Sequence, residues 1–378
     1  MTQVMHRPRT RSSKQNNPAP RLLPKIIGAG TATPESSYSQ QEILDYFGVD
    51  DARIRSVFLN SGIKRRFLTL PAIADNHPRI ESQGDLLHKH RIQGLDMGVR
   101  ALRECLANAD ATLDDIGYLC CVTSTGFLTP GFSALLIKEL GLRNDVSRLD
   151  VVGMGCNAGL NALNPVAGWS RTNPGRLAVM LCVEACSAAY VFDGTMRTSV
   201  VNSLFGDGAA AVALTAGEEP DHGAGTVGAR QNGPTTLKFN SHIITDAIEA
   251  MRYDWDDAQN KFSFFLDRDV PYVVGAHAET VVDNLLTGTG LRRSDIRHWI
   301  IHSGGKKVID SVMVNLGLSR YDVRHTTEVL REYGNLSSGS FLFSLQRLLQ
   351  DDSTQSGEYG VLMTMGPGST IETALVQY

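Results

Sequence analysis

Three residues of this 378-residue chain are of types, and in settings, that could do acyl-transfer chemistry: Cys156 in GCNAG, His302 in IIHSGG and Asn335 in EYGN. Cys156 precedes a run of small residues that reads as a helix start, where the partial positive charge of a helix N-terminus lowers a thiol pKa. A nearby histidine would hold the thiolate as an ion pair and make it an activated nucleophile. Asn335 offers an N–H donor without charge, and with His302 Nε2–H it could hold a developing enolate or thioester oxyanion. A blander reading stays open beside this one. A cysteine ahead of a small-residue helix is also an ordinary packed thiol, a histidine after Trp299-Ile300-Ile301 a hydrogen-bonded core side chain, and an asparagine after glycine a turn residue. Other stretches fit no nucleotide motif: Gly28-Ala29-Gly30 lacks the third glycine, and Gly304-Gly305-Lys306-Lys307 lacks the spacing and the hydroxyl residue of a phosphate loop. The cluster Ile63-Lys64-Arg65-Arg66 suits phosphates and reads equally as a solvated face.

What must position these residues is a weak internal duplication. DIGYLCCVTSTG from Asp115 is echoed by DIRHWIIHSGG from Asp295, 180 residues later, each a short apolar run of buried-strand type. Each follows a helical segment, with Leu95, Val99, Leu102 and Leu106 at helical spacing in the first and a shorter stretch near Val281–Leu286 in the second. Gly175 and Gly357 open a further matched pair of strands, and between these anchors Gly155-Cys156 falls opposite Gly334-Asn335. NAGLNALNPVAGW and LSSGSFLFSLQRL then read as two buried helices. The pattern predicts α/β halves with largely parallel sheets, assembled as an α/β/α/β/α body of five layers. The halves are expected at 25–217 and 218–378, with TAGEEPDHGAG, 215–225, as linker. The first opens on a strand at Lys25, and Ser39-x-x-Glu42 is a capping box that starts a helix.

Composition narrows the partners. A formal charge of −4 gives no reason to expect nucleic acid or an anionic membrane. No run of about 18 apolar residues suggests a membrane span. The six cysteines form no CxxC pair and no Cys/His cluster, which points to a reducing, cytoplasmic setting and to no metal. Residues 1–24 carry five basic residues and no acid, and are expected to form a disordered basic tail.

At these residues the chain resembles the chalcone-synthase-like, or type III, polyketide synthases, from about residue 25 to the C-terminus. GCNAG, IIHSGG and EYGN match the family's nucleophile, histidine and asparagine motifs in order, and LFGDGAAA (204–211) and MGPGSTIET (365–373) match two more. VFLNSGIKRRFLTLP, CCVTSTGFLTPG, DVVGMGCNAGLNALN and EACSAAYVFDGTMRT carry a narrower likeness, to the 3,5-dihydroxyphenylacetyl-CoA synthases of glycopeptide-antibiotic pathways. Those enzymes use only malonyl-CoA, four units per product, and close a resorcinol-type ring through a carbon–carbon bond.

The resemblance implies a thiolase fold, Cys156, His302 and Asn335 as catalytic residues, and no cofactor beyond malonyl-CoA as substrate. It puts gatekeeping phenylalanines at Phe205 and Phe264, a cavity serine at Ser337, and Gly304 and Gly305 along the pantetheine tunnel. It also implies a homodimer in which the loop at Thr129-Pro130, with a cis peptide, reaches into the partner's cavity, and an enoyl-CoA hydratase-like pathway partner that completes aromatisation. Two basic positions that grip CoA phosphates in plant relatives fall on Ser56 and Asn60, which leaves Arg53, Arg55 and Lys64 as CoA-binding candidates. A cavity threonine of the plant enzymes is Ala189 here. Two alternatives are a β-ketoacyl synthase III-like enzyme performing one condensation, and a non-catalytic thiolase-fold partner subunit.

Overall fold

The computed structural model describes residues 22–189, 192–217 and 233–378. The basic tail through residue 21 and the linker from residue 218 lie outside the described residues. The first half runs β1 (Lys25–Ala32), β2 (Ser37–Ser39), α1 (Gln40–Tyr46), α2 (Ala52–Leu59), β3 (Arg65–Phe67), β4 (Ile73–Ala74), β5 (His77–Pro78), α3 (Gln83–Asn108), β6 (Ile116–Thr123), α4 (Phe132–Leu140), β7 (Ser147–Val152), α5 (Ala158–Thr172), β8 (Leu177–Glu184), α6 (Met196–Asn202) and β9 (Gly208–Thr215). The second runs β10 (Thr235–Ile243), β11 (Met251–Asp256), β12 (Lys261–Leu266), α7 (Val270–Leu286), β13 (Ile296–Ile301), α8 (Lys306–Leu316), α9 (Arg324–Tyr333), α10 (Ser340–Gln350), β14 (Tyr359–Gly366) and β15 (Thr370–Gln377). The Ser39–Glu42 capping box is present at α1 as expected. Helix α7 is much longer than its apolar stretch suggested, because Pro271 opens it and small residues such as Gly275 let it lie close to α8.

Among the described residues, nine strands join in the order β13-β14-β15-β10-β1-β9-β8-β6-β7. The order is a repeat. β6 pairs parallel with β8, as β13 does with β14, and β8–β9–β1 is antiparallel, as is β14–β15–β10. The two half-sheets join where Lys25 lies opposite Thr235, with Ile26 N–H donating to Pro234 O at 3.0 Å and Thr236 N–H to Pro24 O at 2.8 Å. Alternate side chains explain the layers. In β8, Ala178, Met180 and Cys182 pack on the central helices α5 and α10, whereas Leu177, Val179, Leu181 and Val183 pack toward α3 and α4. In β14, Leu362 faces the central layer, and Val361 and Met363 face the side of α7 and α8. Strands buried on both faces must read as continuous apolar runs, and the result is helix, sheet, paired helices, sheet, helix.

Gly28 and Gly30 find their reason in this packing. A Cβ on Gly30 would lie 2.3 Å from Cys105 N and 2.4 Å from Ala101 O, so the glycines let α3 press its backbone onto β1. The structure also corrects the repeat register. The short 3-10 turns leading into α5 and α10 are Gly155–Asn157 and Ser337–Gly339, separated by the same 182 residues as β8 and β14. Cys156 therefore corresponds to Ser338, and Asn335 lies three residues earlier, in an extended bridge to Phe205.

Candidate active site

Cys156 lies in the turn Gly155–Asn157, immediately before α5. The turn is wedged against the end of β14: a Cβ on Gly155 would fall 2.2 Å from Pro367 Cδ, and one on Gly366 would fall 2.3 Å from Asn157 Oδ1 and 3.0 Å from Cys156 N. The thiol is buried, and its Sγ–H donates to Ser337 Oγ at 3.6 Å. Ser337 holds a left-handed backbone at φ 50°, which turns its hydroxyl to the sulfur.

Asn335 is clamped to the other half of the molecule. Its N–H donates to Leu204 O at 2.8 Å and its carbonyl accepts from Gly206 N–H at 3.0 Å. Its Oδ1 accepts from Ser337 N–H at 2.9 Å and Ser340 Oγ at 3.4 Å, so its amide nitrogen is the end left to serve the site. The 202–206 loop is fixed in turn by Arg66, whose guanidinium donates to Asn202 O at 2.5 Å, Phe205 O at 2.7 Å and Gln40 Oε1 at 2.8 Å. The reading of residues 63–66 as a solvated face fails at Arg66, which is buried with its pKa pushed down to about 9 by loss of solvent. It serves as an interior brace.

His302 follows β13, with its N–H bonded to Met363 O at 2.8 Å. Its Nδ1 is buried and has no partner among the described residues. A satisfied core histidine would have one, so the blander reading of this residue fits poorly. A Cβ on Gly304 would come 3.0 Å from His302 Cδ2, and glycine there leaves the imidazole its space.

Burial acts against charge on both members of the expected ion pair. Burial pushes the Cys156 thiol up to about 12, with the hydrogen-bonding hydroxyl of Ser337 pulling down, the charge of Glu184 adding to the rise and Asn335 pulling down again. Burial pushes His302 down to about 3. A helix N-terminus contributes about 0.3–2 kcal/mol, at most about 1.5 pKa units, and desolvation outweighs it.

Cys156, His302 and Asn335 line one cavity of about 580 Å³, together with Phe205, Phe264 and Gly304. The two phenylalanine rings meet edge to face with centroids 6.2 Å apart. A larger cavity of about 740 Å³ also borders Phe205 but contains none of the three, so the chemistry belongs to the smaller one. Gly305 lines the smaller cavity as expected, whereas Arg53, Arg55 and Lys64 do not. Arg55 is turned to Val49 O and Gln41 Oε1. The cations on the cavity lining are Lys306 and Lys307 at the start of α8, and Arg268; facing them, α2 and its end contribute Ser56 and Asn60. Sequence reasoning weighed Gly305-Lys306-Lys307 only as a nucleotide loop; a strand end followed by glycines and lysines at a helix start was the available signal. Ala189 is half-buried against the second half's core and off the cavity lining. Thr129 is exposed, and its bond to Pro130 is cis.

A duplicated sheet-and-helix body with a cysteine at the start of a central helix is the frame of the thiolase-like condensing enzymes. Within that class the chain belongs to the chalcone and stilbene synthases, the type III polyketide synthases: their N-terminal domain matches residues 11–220 and their C-terminal domain residues 253–378. It is 67% identical to the 3,5-dihydroxyphenylacetyl-CoA synthase of Streptomyces toyocaensis over 94% of this chain and 90% of that one. Identity to the synthase of the same name from Amycolatopsis orientalis is 65%, over 94% of each chain. The solved 1,3,6,8-tetrahydroxynaphthalene synthase of Streptomyces coelicolor A3(2), a bacterial type III polyketide synthase, superposes with TM-score 0.83 at 25% identity, covering 94% of this chain and 99% of that one. Among the described residues no helix is long and apolar enough to cross a membrane, and no cluster of three or more His, Cys, Asp or Glu is placed to hold a metal.

Proposed function

We propose that this enzyme condenses malonyl-CoA repeatedly on Cys156 and releases 3,5-dihydroxyphenylacetyl-CoA, using four malonyl-CoA per product. The observation that carries the reading is the convergence of Cys156, His302 and Asn335 in one cavity whose lining also bears Lys306, Lys307 and Arg268. Identity of 65–67% to synthases named for this product supports the particular chemistry.

In loading, the thiol proton passes to His302 as Cys156 attacks the thioester, and then to the departing CoA sulfur. The unpartnered Nδ1 locks neither tautomer, so the ring can take a proton on Nε2 or present one there. Malonyl-CoA next places its thioester oxygen against His302 Nε2–H and the Asn335 amide. The bond to the carboxylate breaks, carbon dioxide leaves, and the electron pair remains as an enolate held by the two donors. One such donor is worth roughly 2.7–4 kcal/mol in the transition state. The enolate carbon attacks the Cys156 thioester, CoA carries the longer chain, and Cys156 takes it back. Phe205 and Phe264 keep water from the reactive chain. Ring closure with loss of water gives the resorcinol, and a hydratase-like partner is the reaction class suited to complete it. We read the enzyme as a homodimer whose Thr129-Pro130 loop reaches the partner's cavity.

Incubation with malonyl-CoA alone and mass analysis tests the reading. A C8 dihydroxyaryl thioester is expected, and a simple β-ketoacyl thioester as sole product overturns it. Cys156→Ala should abolish all extended products, and undiminished formation would remove Cys156 from its role.

A further inference from the structure

The larger cavity, of about 740 Å³, stands beside the condensing site and shares Phe205 with it. Much of its wall is apolar, from Ile43, Phe47, Leu68, Leu70 and Phe192. Most of its charged groups are already engaged. Glu81 pairs with Lys89 at 2.7 Å, and Asp193 accepts from Thr195 N–H and Gln259 Nε2–H, each at 2.9 Å. Arg79 reaches Asp85 at 3.6 Å, and the terminal nitrogens of Arg66 are taken up by carbonyl oxygens and Gln40. Lys261, at the start of β12, is the exception. It is 6% exposed, and its ammonium has no hydrogen bond and no ion pair among the described residues.

The lysine is held where it is. Asp256 lies opposite it across the β11–β12 ribbon but turns to the ribbon's tip, where its Oδ1 accepts from Ala258 N–H at 3.0 Å and Gln259 N–H at 3.2 Å. Gln83 Oε1 accepts Phe262 N–H at 3.2 Å, which pins the next residue of the strand to the start of α3. A second donor on the same wall is unmet, since Arg66 Nε is buried with no acceptor among the described residues. Buried charge without a partner is costly. An apolar cavity with such donors suits a carbon chain that carries ketone or enolate oxygens.

We propose that Lys261 holds the far carbonyl oxygen of the finished chain in this cavity as its enolate forms, and so selects carbon–carbon ring closure over lactone formation. The inference rests on the four-unit condensation proposed above. In the linear chain the terminal methyl gives up a proton, and the charge rests on the last carbonyl oxygen, against the Lys261 ammonium. The methyl carbon then bonds to the carbonyl next after the thioester, whose oxygen becomes an alkoxide. The proton returns to that alkoxide through solvent at the open side of the cavity, where Ile80 is 85% exposed. One water is lost, and the two remaining ketones enolise to complete the ring without an oxidant. Where the cation is missing, an inner enol oxygen attacks the thioester carbonyl instead, the thiol leaves, and a pyrone results.

The test is the ratio of dihydroxyaryl thioester to pyrone made by the full-length enzyme from malonyl-CoA, read by mass analysis at matched malonyl-CoA consumption. Lys261→Met keeps the unbranched stem and removes the charge. The ratio should fall about 10- to 100-fold, the effect of losing one hydrogen bond to a charged group. Lys261→Arg, which restores a cation, should recover most of it. A ratio that Lys261→Met leaves unchanged overturns the proposal, and so does a slower enzyme with the wild-type ratio, which would mark the lysine as structural only. Should Lys261→Met fail to fold, the ratio from Lys261→Gln decides in the same way. A wild type that makes no dihydroxyaryl thioester fails the earlier reading and takes this one with it. A wild type that makes it, with the neutral variant making it in equal proportion, overturns the role of Lys261 alone.

Discussion

The two halves share a frame, and the ends of their equivalent strands show where they part. Strand β8 ends in Glu184 and β14 in Gly366, 182 residues later. Each end packs against the other half's 3-10 turn: Glu184 bonds Ser338, while Gly366 presses on Asn157 and the Cys156 amide. One junction is built from hydrogen bonds and the other from absent side-chain volume. The difference separates the tasks. The polar junction fixes the turn that carries Ser337, next to Asn335, and the tight one lets the Cys156 turn approach the strand that follows His302 in the sheet. The halves differ at the cavity lining as well, where the first gives neutral Ser56 and Asn60 and the second gives Lys306, Lys307 and Arg268.

The most damaging change to the second half's contribution is Asn335→Ala. It deletes one enolate donor, and the rate of carbon dioxide release from malonyl-CoA should fall about 10²–10³-fold. The backbone bonds of residue 335 to Leu204 and Gly206 survive the substitution, but the buried Ser337 N–H loses its acceptor, so a stability loss of about 1–3 kcal/mol and a lowered melting temperature accompany the slower release. Normal carbon dioxide release from this variant would take the donor role from Asn335.

Much of this architecture is legible in the sequence because burial on both faces leaves a plain mark. CCV in β6 and WII in β13 could only be interior strands, and central helices pressed against two sheets need the small residues of α5. The three reactive residues were also readable, since each ends or begins an element of the repeat. What depends on proximity across the chain was not. The register at Cys156 shifts by three residues because Asn335 is drawn into a bridge with Phe205. Arg66 reads like its exposed neighbours Lys64 and Arg65, yet carbonyls of residues 202 and 205 claim it. The spacing of Cys156 and His302 likewise says nothing of how completely each is removed from water.

Gly366→Ala tests the tight junction. The added methyl has no free direction, with Asn157 Oδ1 at 2.3 Å, Asn157 N at 2.7 Å and Cys156 N at 3.0 Å. Backbone cannot swing aside as a flexible side-chain tip does, so overpacking should cost about 1–3 kcal/mol. A lowered melting temperature and slower product formation are expected. A fully stable and fully active variant would show that the two turns are not held as differently as described.

The smallest effect belongs to the cations of the cavity lining. Lys306 is exposed and already paired with Asp310 at 3.1 Å, and Lys307 is exposed beside it. Exposed charge pairs give about 0.2–1 kcal/mol each, so Lys306→Ala with Lys307→Ala should raise the KM for malonyl-CoA about 2- to 30-fold and leave kcat nearly unchanged. The increase should shrink at high salt, because solvent ions already screen such contacts. Arg53→Ala, on the neutral side, should change neither constant. If the KM follows Arg53 and ignores the lysines, the phosphate grip lies on α2 after all, and the contrast between the two sides of the cavity is lost.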